Sequence, residues 1–392
     1  MSANIHPFPA RMAPELALQT IQDLPRPGVV LDPMAGSGMV LRQANNLGFK
    51  AIGFDMDPLA VLMSRAWTTP VEDCLIEEIY QNVLAIARNV DPKLISLPWI
   101  DEDKETLEFI DFWFGKKQIL DLRKIAYAIY KLESDAIATN EKSALDIVKI
   151  GLSRIIVTKE QCASLARDTS HSRPHKVSLD SDYSVFDGLN KSMSIIRKRL
   201  IDHPPQGGSE VLLGDARTIA LPDNSVTCVL TSPPYLNAID YMRGHRMSLV
   251  WLGYSLKVLR KIRSDSIGAE RAPDLTDIKE EMVASFGDLN PLPKRYLAMI
   301  DRYAIDILKM IGEVKRVLAP DGVATFVVGN SCLKGVFVRN ASAVAKAAEM
   351  CGMTHVRTYE RDLPNQSRYL PTNVGSALNN RMRTETILSF SV

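Results

Sequence analysis

Apolar residues recur along this chain with two different periods, and the changes of period divide it into three stretches. Residues 14–22 carry apolar side chains at three- and four-residue spacing, with Pro14 and Glu15 suited to a first turn, so a short helix is expected. Val29, Val30 and Leu31 make a short apolar run that reads as a buried strand ending in Asp32-Pro33-Met34-Ala35-Gly36-Ser37-Gly38. A helix to about Leu47, stopped by Gly48, leads to a second strand over 51–54. Asp55 ends that strand, and Asp57-Pro58 opens the next helix. Between about 69 and 205 the strand signal fades. Residues 74–90, 106–132 and 143–164 repeat at helical spacing, so a mostly helical insertion is expected.

The strand period returns in Glu210-Val211-Leu212-Leu213, followed by Gly214-Asp215, and again over 226–230, 323–328, 355–359 and 384–390. Helices are predicted over 295–318, where Pro320-Asp321-Gly322 supplies the stop, and over 341–350. Strands alternating with helices predict an α/β layer structure with a largely parallel sheet, here of seven strands.

Composition narrows this picture only a little. With 392 residues, 46% of them hydrophobic and 24% charged, the chain has the make-up of an ordinary globular protein. A formal net charge of +1 excludes a protein-wide basic field, so a nucleic-acid surface has to be a local patch. The five cysteines lack the paired short spacing of a zinc or redox site, and read as reduced thiols of a cytoplasmic protein with no metal centre. No apolar run is long enough to span a bilayer, and the N-terminus has no signal-peptide pattern.

Two turns carry candidate chemistry. Thr231-Ser232-Pro233-Pro234-Tyr235 follows the apolar run 226–230. Proline fixes φ and donates no backbone hydrogen bond, so Pro233 and Pro234 hold a stiff turn with carbonyls free to accept. An exocyclic amino group on a nucleobase is a poor nucleophile until acceptors draw its hydrogens out of the ring plane. The Ser232 hydroxyl and Pro233 carbonyl are two such acceptors, and Tyr235 can stack on a base that is single-stranded or flipped from a duplex. The other turn, residues 32–38, joins a strand to a helix through glycines and so brings backbone N–H groups to a ligand. Asp55, at the end of the second strand, suits two ribose hydroxyls. A dinucleotide site looks similar, but the turn is not the Gly-x-Gly-x-x-Gly of pyrophosphate binders.

Ser-Pro-Pro-Tyr after an apolar strand resembles the catalytic motif of amino-group DNA methyltransferases. The serine form is most like the cytosine-N4 branch, whereas adenine-N6 enzymes more often carry Asp or Asn. Asp-Pro-Met-Ala-Gly-Ser-Gly likewise resembles the Asp-Pro-Phe-x-Gly-Ser-Gly turn of family members that depend on S-adenosylmethionine (AdoMet), and residues 6–12 resemble the segment preceding it. The resemblance implies a Rossmann-like seven-stranded methyltransferase sheet with a mostly helical insertion. It also implies AdoMet as cofactor and double-stranded DNA with a flipped base as substrate. By position, Phe8 and Arg11 would flank the methionine end of AdoMet, which Asp32, Ala35, Gly36 and Gly38 would line, with Pro33 and Ser37 among them. Asp55, beside Met56, would bind the ribose, and Asp215, beside Ala216, would accept from the adenine amino group. The chain then divides into an AdoMet-binding part (1–68), a helical insertion that is a candidate target-recognition region (69–205) and a catalytic part (206–392).

Substrate contacts are expected from Asn237 and Tyr241, just after the catalytic turn, and from the basic cluster Lys257, Arg260, Lys261 and Arg263. His245 reads as structural or substrate-orienting, because attack by a base amine on a sulfonium needs no strong base. A polar loop over 167–176 and a basic helix with Lys191, Arg197, Lys198 and Arg199 suit either phosphate contacts or a solvated face. Residues 368–380, rich in Asn, Ser and Gly, read as a mobile loop near the substrate. One feature departs from the family pattern: most cytosine-N4 enzymes place the catalytic turn before the cofactor turn, and here it follows. That order is shared with RNA guanine-N2 methyltransferases, which use an Asp/Asn-Pro-Pro-Tyr turn. An RNA target, an adenine-N6 target and an inactive nucleic-acid-binding relative therefore stand as alternatives to cytosine N4.

Overall fold

Seven strands form one sheet: β1 Val29–Asp32, β2 Lys50–Asp55, β3 Ser209–Leu213, β4 Val226–Thr231, β5 Leu318–Gly329, β6 Thr354–Asp362 and β7 Thr384–Ser391. The structure is a computed structural model that describes the chain apart from residues 1–4, 9–11, 23, 25–26, 136–137, 169–173, 237–239, 269–279 and 364–383. Across the sheet the order is β6-β7-β5-β4-β1-β2-β3. All pairings are parallel except those of β7, which runs antiparallel to both β5 and β6. The order reverses between β1 and β4, and in an open α/β sheet ligands bind at the carboxyl ends of the strands flanking such a reversal. The register Val30↔Cys228 and Leu31↔Val229 brings the ends of β1 and β4, and so the two candidate turns, to neighbouring positions on one edge.

Helices cover both faces. The first part of the chain supplies α1 Pro14–Ile21, α2 Met39–Asn46 and α3 Pro58–Thr68. The insertion supplies α4 Asp73–Asn89, α5 Lys104–Trp113, α6 Lys116–Ser134, α7 Thr139–Ser153 and α8 Val185–Asp202. After β4 come α9 Tyr241–Leu249, α10 Leu256–Asp265, α11 Lys294–Val317 and α12 Asn340–Met350. On one side, Met310 and Val314 of α11 and Val344 of α12 bury against Val229, Phe326 and Phe390 of the sheet. On the other, Val40 and Leu41 of α2 and Val61 of α3 bury against Val30, Ala51 and Leu230 of the sheet, and Leu59 and Met63 of α3 share a further continuous core with Val83 of α4, Ile125 of α6, Ile147 of α7 and Trp251 after α9. The insertion therefore packs into the same apolar cluster as α3 and α9.

Three expected elements differ. The helical period over 106–132 is cut by Gly115, whose extended backbone (ψ 154°) starts α6 anew, and residues 154–164 leave the helical path after α7. β5 begins at Leu318, directly after α11, five residues before the apolar run suggests. Pro320 lies in a register shift, where pairing jumps from Val226↔Leu318 to Cys228↔Val323, the kind of irregular position a strand proline can occupy.

Candidate active site

The first turn is set by its two glycines and by carboxylates that tie strand ends together. Gly36 (φ +51°) and Gly38 (φ +81°) adopt left-handed backbone that branched side chains avoid. A Cβ on Gly38 would lie 2.4 Å from Ser64 Oγ of α3, and one on Gly36 would lie 3.2 Å from the Phe8 ring. The Gly36 N–H donates to Asp55 Oδ2 at 2.8 Å and the Asp57 N–H to Asp55 Oδ1 at 2.9 Å, so Asp55 joins the β2 end to the turn after β1. Asp32 is buried and accepts from Thr231 Oγ1 at 2.7 Å and from the Met34 N–H at 3.1 Å. Thr231 is the residue before Ser232, so this bond couples the two candidate turns directly. Burial pushes the Asp32 carboxyl up to about 7 and the Asp55 carboxyl up to about 6, the negative charge of Asp57 adding to the second shift.

Ser37 is buried in this turn, and Ala35 is fixed by its N–H bond to Phe54 O at 2.8 Å. Phe8 lies over Gly36 and stacks on Tyr241 with ring centres 5.1 Å apart. The rings of Phe8 and His245 are 5.7 Å apart, and His245 Nδ1 meets Asp57 Oδ2 at 2.5 Å. Asp57 also caps α3 through the Leu59 N–H, so the pair of buried His245 and half-buried Asp57 ties α9 to the start of α3. Asp215 follows β3, and both its oxygens are engaged by Arg217, with Nη2–Oδ2 at 2.7 Å. Arg217 further binds Asp306 at 2.7 Å and the Asp265 carbonyl at the end of α10, and its Nη2 lies 4.0 Å from Met56 Sδ. Ala216 beside it is buried.

At the candidate catalytic turn, Ser232 donates from Oγ to the Val327 carbonyl at 3.0 Å, and Tyr235 donates from its hydroxyl to Glu385 Oε1 at 3.3 Å. The two hydroxyl oxygens are 3.4 Å apart. Pro233 is buried and Pro234 half-buried, as a rigid turn packed on the sheet edge requires. Burial, together with the neighbouring Glu385 charge, raises the Tyr235 phenol and keeps it protonated. Lys257, Arg260, Lys261 and Arg263 are exposed along α10. Arg260 pairs with Glu105 of the insertion, and Arg263 pairs with Asp240 at 2.7 Å. In the insertion, Arg197 is bound by both oxygens of Asp73 at 2.7 Å each, which ties α8 to α4. Arg11, Asn237 and the loop 368–380 lie outside the described residues, as do residues 169–173 of the polar loop over 167–176.

No family model matches the chain. It is 23% identical over 421 residues to the type II methyltransferase M.MvaI of Kocuria varians, spanning 99% of this chain and 90% of that protein. It is also 23% identical over 405 residues to the type II methyltransferase M.BsoBI of Geobacillus stearothermophilus, spanning 88% of this chain and 77% of that protein. The protein is a methyltransferase. These relatives support an AdoMet-dependent DNA methyltransferase, the coarser family that its two turns resemble. A SAM-dependent methyltransferase structure from Methanosarcina mazei also matches (8% identity, 97% of this chain and 98% of that one, TM-score 0.34), at a score that adds nothing to the strand order.

Sequence reasoning missed three parts of the candidate site. Thr231 was legible as the first residue of the candidate catalytic turn but not as the partner of Asp32. Arg217 follows Asp215 by two positions, and a cation so close to an acid is a readable signal. Glu385 was hidden at the start of a strand, where an acid ordinarily marks a solvated edge; its position opposite Gly329, two residues past the Ser232 acceptor, depends on antiparallel pairing that the sequence does not announce.

Proposed function

We propose that this methyltransferase moves a methyl group from AdoMet to the exocyclic amino nitrogen of a base in duplex DNA, that it does so at specific sites, and that the base is cytosine. The observation that carries this reading is the bond from Thr231 to Asp32, which joins a Ser-Pro-Pro-Tyr turn to a glycine turn at the switch point of the sheet. The residues of the glycine turn fit AdoMet. Two carboxylates with raised pKa values, Asp32 buried and Asp55 half-buried, favour a ligand bearing an ammonium and hydroxyls, and Gly36 and Gly38 keep the turn free of side chains at those positions.

When bound, AdoMet supplies an electrophilic methyl on a sulfonium. Asp32 would hold its ammonium and Asp55 its ribose hydroxyls, with Asp215 meeting the adenine while sharing its oxygens with Arg217. Ser232 Oγ and the Pro233 carbonyl would accept the two amine hydrogens of a flipped base, aligning the nitrogen lone pair with the methyl. The Tyr235 ring would stack on that base, with the Phe8–Tyr241 pair closing the methionine side. The Ser232 side chain, where adenine-N6 enzymes more often use a carboxylate or amide, favours cytosine N4. The insertion would contribute target recognition: its Thr106 and Glu105 contact Leu256 and Arg260 of the basic helix, which supports a shared DNA-facing surface.

The test is transfer of labelled methyl from AdoMet to duplex DNA and to RNA, followed by nucleoside analysis. N4-methylcytosine in DNA is the expected product. N6-methyladenine would overturn the choice of base, and label confined to RNA would overturn the substrate.

A further inference from the structure

We propose that Glu385 is a positioning residue for the catalytic turn: it draws the Tyr235 proton away from Ser232 and leaves the serine oxygen an acceptor for the substrate amine. This rests on the reading that Ser232 receives an amine hydrogen. Ser232 carries one hydroxyl proton and donates it to the Val327 carbonyl, 3.0 Å away. Tyr235 carries one and donates it to Glu385 Oε1, 3.3 Å away. No proton is left for the 3.4 Å contact between the two hydroxyl oxygens, so both present lone pairs. An amino group brings only donors to this turn, and a surface of acceptors is what it needs.

The same strand pair fixes both proton sinks. Val327 lies on β5, and β7 pairs Glu385 with Gly329, two residues further along β5. Burial disfavours the carboxylate charge, but the Arg361 guanidinium 3.7 Å away and the Tyr235 hydroxyl both favour it. An ionised carboxylate can only accept, so it holds the tyrosine proton in one direction. Without Glu385, Ser232 Oγ becomes the nearest acceptor for the Tyr235 proton. The serine lone pair facing the amine is then occupied.

A mutant cycle on the full-length protein separates this role from simple packing, read as the single-turnover rate of methyl transfer to duplex DNA at saturating AdoMet. Glu385→Ala should slow transfer by roughly tenfold or more, the scale of one lost hydrogen-bond acceptor, with AdoMet affinity unchanged. Tyr235→Phe keeps the ring and removes the misdirected proton, so the double variant Glu385→Ala/Tyr235→Phe should be faster than Glu385→Ala and match Tyr235→Phe. Additive losses, with the double variant no faster than Glu385→Ala, would overturn the proposal. Should Glu385→Ala not fold, Glu385→Gln enters the same cycle, because its amide can donate to Tyr235 and turn that proton toward Ser232. Rescue by Tyr235→Phe is again the expected result, and its absence overturns the role. If the wild-type protein transfers no methyl to DNA, the underlying reading falls together with this one; an additive cycle in an active enzyme removes only the role of Glu385.

Discussion

Asp32, buried, and Asp55, half-buried, stand at the ends of adjacent strands and are held by a hydroxyl and backbone N–H groups. Both keep a proton to higher pH when folded than when unfolded, Asp32 to about 7 and Asp55 to about 6. Their contribution to stability is therefore present below the unfolded value of 3.8 and is lost as pH rises through 6 to 7. Denaturant unfolding of the free protein from pH 5 to 8 should show this decline, and Asp32→Asn should flatten it; an unchanged slope would mean Asp32 titrates normally. Saturating AdoMet should also flatten it, since a cationic ligand favours the ionised carboxyls. Gly36→Val forces a branched residue to φ +51° and drives its side chain into the Phe8 ring, and Asp55→Ala releases both N–H groups that hold the turn. Calorimetry should find AdoMet affinity reduced by about tenfold or more in each, on the scale of buried groups left unpaired; unchanged affinity in both would put the cofactor elsewhere.

Among the elements, α10 shows what a sequence reveals and what it hides. Four cations within seven positions, Lys257, Arg260, Lys261 and Arg263, are legible as a patch. Their partners are not, because Glu105 comes from the insertion and Asp240 from the segment before α9. Exposed ion pairs of this kind contribute little to stability, but they compete for a phosphate. Lys257→Gln with Lys261→Gln should thus flatten the salt dependence of DNA binding by up to about two units, at about 0.9 per phosphate contact. Arg260→Gln, already paired with Glu105, should change it less. Filter binding across a salt series decides this, and an unaltered slope in the lysine variant would move the DNA surface off α10. The strands themselves were readable because most are short buried runs flanked by turn residues. β5 was misjudged at its start because a proline inside a strand looks like a terminator.

For the whole molecule, the shared core has a consequence for unfolding. Leu59, Met63 and Trp251 pack in one cluster with Val83, Ile125 and Ile147 of the insertion, so neither part buries its apolar surface alone. Scanning calorimetry should show one cooperative transition, and two separated transitions would mean the insertion folds as its own unit. Periodicity marked the insertion as helical, but a shared core depends on which helix faces meet, and that is set by tertiary packing. The account as a whole depends on the turn at Ser232. Its most direct test is the single-turnover rate of methyl transfer to duplex DNA by Ser232→Ala, with AdoMet affinity measured in parallel. The account predicts a loss of about 100-fold or more, the scale of one removed hydrogen-bonding group at a reacting centre, with cofactor binding unchanged. Transfer at the wild-type rate would contradict it.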